Sequence, residues 1–209
     1  MIESLDAFTV TVEYGPSHTT FLLHPKGQRE PTARMHKDSA YDARSSLRVY
    51  TGARLDEPGG YVSEFEAMTA QRVKMGTIRY RERTWRPDEW TFTQHDLGVL
   101  SGLPEGLGST LRHSFPLRAV LDHFWGDALF SYRLRFRSPE SEGFALVRLA
   151  GVRARYKVTV RDPRISRLLV LACVTQFNTY ATSDPRKAAQ EYLMPMPPRS
   201  RAAGRHPGR

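Results

Sequence analysis

Cysteine is almost absent from this sequence: Cys173 is the only one in 209 residues. An internal disulfide framework is thereby excluded, as is a zinc site built on paired thiolates. Long apolar runs are missing too, since the longest, Leu168 to Val174, has seven residues against the roughly 18 that a spanning helix requires. Lysine occurs only at positions 26, 37, 74, 157 and 187, which leaves 26 arginines among the 31 basic residues. Ahead of the first apolar stretch stand Glu3 and Asp6, where a secretory signal would carry basic residues. The expectation is a cytoplasmic protein without disulfides.

Catalytic motifs are lacking as well. His24, His36, His95, His113 and His123 never fall into H-E-x-x-H spacing, and Cys173 has no second cysteine to join it. His36, Asp38 and Asp42 lie in the polar run H-K-D-S-A-Y-D, which has the composition of an ordinary loop. Gly102, Gly106 and Gly108 have no lysine with which to hold a phosphate, and no G-x-S-x-G elbow occurs. No catalytic residue, metal site or cofactor is expected. A thiol inside an apolar run, such as Cys173, is assigned to packing, and Trp85, Trp90 and Trp125 to the half-wet ends of the fold.

What the chain does have is positive charge, and that charge is regional. Of a net +9, the 34 residues from Ala128 to Arg161 carry +6 and the last 15 carry +4, so the remainder is slightly acidic. Concentrated positive potential attracts polyanions or anionic surfaces.

Strand signals recur along the first half. Ala7–Tyr14 alternates apolar and polar residues before Gly15-Pro16, and Thr19–Leu23, Thr32–Met35, Leu47–Thr51, Gly60–Phe65, Lys74–Arg83 and Glu89–His95 follow between turn-forming residues. Leu97–His113 is punctuated by glycine and reads as turns with room for short strand pieces, while Phe115–Trp125 has the spacing of a short surface helix. Phe130–Phe136, Phe144–Leu149 and Arg153–Val160 form an antiparallel meander with short connections. The period then changes. Asp162-Pro163 offers an N-cap and a first-turn proline, predicting a helix from Pro163 to about Ala181. Because every position from Leu168 to Val174 is apolar, no face of that helix tolerates water, and the strands must surround it.

These features, with the D-P-R-I-S-R turn leading into L-L-V-L-A-C-V, resemble the tubby C-terminal-like superfamily, in particular its bacterial phospholipid-scramblase-related members. The resemblance covers roughly residues 7 to 182 and is most specific from Asp162 to Val174. It implies a mainly β fold, a closed antiparallel barrel of about 12 strands around a central hydrophobic helix. Residues 1–6 then form a lead-in and residues 183–209 a basic, proline-rich tail with too little apolar content to order itself. No D-x-D-x-D cluster is present, so a calcium-driven activity does not carry over.

The candidate binding residues lie in the meander. Side chains on a strand alternate, so Arg133, Arg135 and Arg137 share one face of their strand, opposite Tyr132, Leu134 and Phe136. Arg153, Arg155 and Lys157, with Arg161 beyond, share the corresponding face of the last strand. Arg148 joins them only for one of the two registers open to Phe144–Leu149, since one parity buries Phe144 and Leu146 and the other Ala145, Val147 and Leu149. Arg79, Arg81 and Arg83 repeat the pattern amid nearby acids. Two readings stand: an anion-binding face, where planar arginine grips phosphate bidentately, and a solvated exterior kept soluble by like charge. The binding reading points to anionic phospholipid headgroups at a membrane surface. Nucleic acid is an alternative, weakened because the aromatics that would stack on bases fall on the inward face. A small apolar ligand held in the barrel is a third.

Overall fold

The computed structural model describes residues 2–15, 18–37, 46–81, 88–105, 131–151 and 153–180. Two-residue alternation builds its strands: in β1 (Ala7–Tyr14) Phe8, Val10 and Val12 are buried while Thr9, Thr11 and Glu13 point the other way. The same period shapes β2 (Thr19–Pro25), β3 (Ala33–His36), β4 (Leu47–Thr51), β5 (Glu57–Val62) and β6 (Glu66–Thr69). It continues through β7 (Lys74–Arg81), β8 (Glu89–Gln94), β9 (Gly98–Pro104), β10 (Tyr132–Ser138), β11 (Ser141–Arg148) and β12 (Arg155–Val160). Each strand pairs antiparallel with the next, and β12 returns to β1, placing Val158 opposite Phe8 and Tyr156 opposite Val10. The twelve strands thus close into a barrel, and closure removes the unpaired edges that an open sheet exposes.

Helix α1 (Arg167–Tyr180) occupies the interior. Every residue from Ile165 to Asn178 is buried, as an apolar run without a polar face demands. Phe177 meets Trp90 of β8, Tyr132 of β10 and Tyr156 of β12 at ring-centroid distances of 5.5, 4.9 and 5.9 Å. The helix packs against β5, β6 and β7, whose inward residues include Gly60, Ala67 and Gly76. A Cβ at Gly76 would run into the Thr93 carbonyl oxygen and the Leu169 side chain, so only glycine admits the helix there. Aromatic rings from other strands fill the interior further, with Phe136 stacked on Phe144 at 4.5 Å.

Polar side chains fix both ends of the helix. At its start Gln94 accepts from the Ser166 N–H and donates to the Arg164 carbonyl, each at 2.8 Å. At its end the hydroxyls of Tyr14 and Tyr156 both donate to Asn178 Oδ1, at 3.0 and 2.7 Å. These bonds satisfy groups that burial would otherwise penalise.

Several sequence expectations are corrected. The helix begins at Arg167, not Pro163, because Asp162 folds the chain into a turn: its carboxylate accepts from the Arg164 N–H at 3.0 Å and its carbonyl from the Ile165 N–H at 3.2 Å. Ser166 is the N-cap, its hydroxyl accepting from the Leu169 N–H at 3.4 Å. Residues 60–65 are not one strand, since the Ser63 hydroxyl accepts from the N–H groups of Phe65 and Glu66 and turns β5 into β6. Within the stretch read as turns with short strand pieces, Gly98–Pro104 is one continuous strand of seven residues. Trp90 is core rather than half-wet. The lead-in is part of the barrel end, with Ile2 buried and Glu3 bound to α1. The helix expected over 115–125, the loop beyond Lys37 and the tail over 183–209 lie outside the described residues.

Candidate anion-binding face

Strands β10 and β12, on either side of β11, present the predicted basic residues. Pairing sets Arg133 of β10 beside Val147 of β11 and Lys157 of β12, and Arg135 beside Ala145 and then Thr159. Arg155 lies opposite Thr11 of β1, and Arg153 is exposed just ahead of β12. The six residues Arg133, Arg135, Arg137, Arg153, Arg155 and Lys157 therefore share the outside of one wall. With strands about 4.8 Å apart, the two basic strands stand roughly 10 Å from each other. Arg161, past the end of β12, is exposed as well.

Arg148 does not join them. It points inward and is fully buried, donating to the carbonyls of Leu149 at 2.7 Å and Gly151 at 3.2 Å. The register that was open in the sequence thus puts Phe144, Leu146 and Arg148 inside and Ala145 and Val147 outside. Buried arginine is expensive unless its donors are met, and these carbonyls of the β11–β12 connection meet part of that need.

Charge on the wall is unevenly compensated. Arg135 pairs with Glu105 at 3.3 Å, a partner that sequence spacing gave no means of finding across 30 positions. Among the described residues no carboxylate forms an ion pair with Arg137, Arg153, Arg155 or Lys157. A groove of about 330 Å³ at the β10–β11 turn is lined by Arg135 and Arg137 but also by Glu140 and Glu142, so it is mixed in charge. Beside it Asp162 accepts from Arg164 Nη2 at 2.7 Å and from the Ser141 hydroxyl at 2.6 Å. The Arg164 guanidinium above all, then the Ser141 hydroxyl, hold this carboxyl well below the usual carboxylate range against the opposing effect of burial.

Elsewhere the reactive side chains are built into the fold. Burial pushes the Cys173 thiol far up, which leaves it protonated and inert. The His24 Nε2 and Thr11 hydroxyl are 3.2 Å apart, and His36 Nδ1 is 3.2 Å from the Thr20 hydroxyl. Among the described residues no three His, Cys, Asp or Glu side chains are grouped to hold a metal. What the arrangement offers chemically is a broad array of guanidinium donors aimed at solvent.

No protein-family model, no curated protein and no solved structure matches the chain.

Proposed function

We propose that this chain is a non-enzymatic binding module of the tubby C-terminal-like, scramblase-related kind, a cytoplasmic protein that docks on anionic phospholipid at the membrane surface. The observation that carries the reading is the outward cationic wall of β10 and β12, where Arg137, Arg153, Arg155 and Lys157 have no ion-pair partner among the described residues. Each basic residue held near an anionic leaflet contributes about 1 kcal/mol, so four add up to roughly a thousandfold in partitioning. Arginine suits the task because its planar fork meets two phosphate oxygens at once.

Two competing readings fit the molecule less well. A nucleic-acid surface wants exposed aromatic platforms between the cations, whereas Tyr132, Phe136 and Tyr156 are buried. A barrel for a small apolar ligand needs interior space that α1 and the surrounding rings occupy. Lipid translocation is not part of the proposal, since among the described residues no helix is long and apolar enough to cross a membrane, and α1 is enclosed.

The test is co-sedimentation with phosphatidylcholine vesicles, with and without phosphatidylserine, over a salt series and beside a DNA and RNA shift assay. Binding that requires phosphatidylserine and weakens with salt supports the proposal. Binding to nucleic acid alone, or to neither, overturns it.

A further inference from the structure

Outward positions on β8, β10 and β12 carry Thr, Arg, Lys or Glu, as water requires. β9 departs from this rule. Its inward residues are Leu100 and Gly102, while Val99 and Leu103 point out and remain 55% and 48% exposed. The other two large apolar residues so exposed among those described, Phe65 and Val73, lie outside the strands in short turns. Leu103 stands directly opposite Arg135, and Ser101, between the two apolar residues, opposite Arg137. On the far side of β8, Arg79 continues the same row through Thr91 to Ser101. β11 repeats the departure with Ala145 and Val147, the latter flanked by Arg133 and Lys157.

Apolar and basic stripes therefore alternate from β9 to β12 across about 14 Å of barrel wall. Among the described residues the carboxylates of this wall lie at its ends: Glu105, already held by Arg135, at one, and Asp96, Glu140 and Glu142 at the other. Aliphatic side chains set among arginines match a surface that is anionic at the phosphates and apolar just beneath, where apolar burial and charge attraction act together. A soluble polyanion would gain nothing from Leu103 or Val99.

We infer that the β9–β12 wall is the face that meets the bilayer, with Val99 and Leu103 entering the headgroup layer while Arg133, Arg137 and Lys157 hold lipid phosphates around them. This rests on the membrane reading above and adds to it an orientation and an insertion depth.

The experiment places an environment-sensitive nitrobenzoxadiazole label at Leu103→Cys. The native Cys173 is fully buried and resists labelling. Arg48→Cys on β4, five strands around the barrel from β9, serves as the comparison position. With phosphatidylcholine–phosphatidylserine vesicles the label at 103 brightens and shifts to the blue while that at 48 does not. The double variant Val99→Ser with Leu103→Ser, which alters only exposed side chains, keeps its melting temperature and partitions about five- to tenfold less. If the wild type binds these vesicles but the label at 48 responds instead, or the double variant binds as well as wild type, the orientation is wrong and the membrane reading survives. A label at 103 that is already blue-shifted in buffer and unchanged by vesicles shows the patch covered by protein, and also overturns the inference. Absence of any vesicle binding removes the membrane reading itself.

Discussion

Glu3 accepts the backbone N–H of Arg167 at 2.8 Å, so a residue ahead of the first strand caps a helix that begins 164 positions later. The same carboxylate takes the Leu168 N–H at 3.4 Å, and the Arg167 guanidinium donates to the Leu5 carbonyl at 2.9 Å. A negative side chain at a helix N-terminus answers unpaired N–H groups and the helix dipole together. Replacing Glu3 with Ala should lower stability by about 1 kcal/mol, read as a lower urea midpoint with an unchanged slope. An unchanged midpoint would show that the cap is not maintained in solution.

Gly76 leaves no room for a side chain between β8 and the helix. Gly76→Val would force its new side chain against the Thr93 carbonyl and Leu169, at a cost of about 1–3 kcal/mol or more. Gly27→Ala serves as the reference, because nothing lies within 4 Å of a Cβ there, although its φ of +79° makes the change mildly strained. Thermal melts should rank Gly76→Val well below Gly27→Ala, and the reverse order would place the helix elsewhere.

Leu171→Asp introduces a charge with no partner into the enclosed helix and should abolish soluble expression. In the wild type, Cys173 should react with a thiol reagent only at the rate of opening, since the group is buried and its proton is held tightly. Rapid modification of the folded protein would contradict the central position of α1.

Asp162 gives the fold a defined acid sensitivity. Its folded pKa is depressed, first by hydrogen bonds from Arg164, below an unfolded value of about 3.9. The stability it contributes is therefore complete above about pH 5 and is lost as pH falls through the folded value. Asp162→Asn should be less stable than wild type at pH 7, and the difference should shrink below about pH 4. Denaturation at several pH values reads this directly, and a difference independent of pH would mean that the carboxylate charge is not what matters.

The helix was legible because seven apolar residues in succession leave no other place for it, and the meander because β10 and β12 alternate cleanly. β11 was not, as Ala145 and Val147 are apolar on the side that faces out, so hydrophobicity alone left two parities open. β9 was hidden for a related reason: glycines at 98 and 102 mimic turn composition, and Val99 and Leu103 reverse the usual polar-out pattern. The Asp162-Pro163 signal was real but marked a turn stabilised by Arg164, with the cap displaced to Ser166. Pairings across long sequence separations, Glu3 with Arg167 and Arg135 with Glu105, follow from barrel closure and strand register, which no local pattern encodes.

The central claim is that the outer wall of β10 and β12 binds anionic lipid, and the most direct measurement compares wild type with a variant carrying Arg137→Glu, Arg153→Glu, Arg155→Glu and Lys157→Glu in phosphatidylcholine–phosphatidylserine vesicle co-sedimentation. All four positions are exposed, so the variant should melt like wild type while its partitioning falls by at least about a hundredfold. Equal partitioning of the two proteins, with both folded, would contradict the claim and leave the wall as a device for solubility.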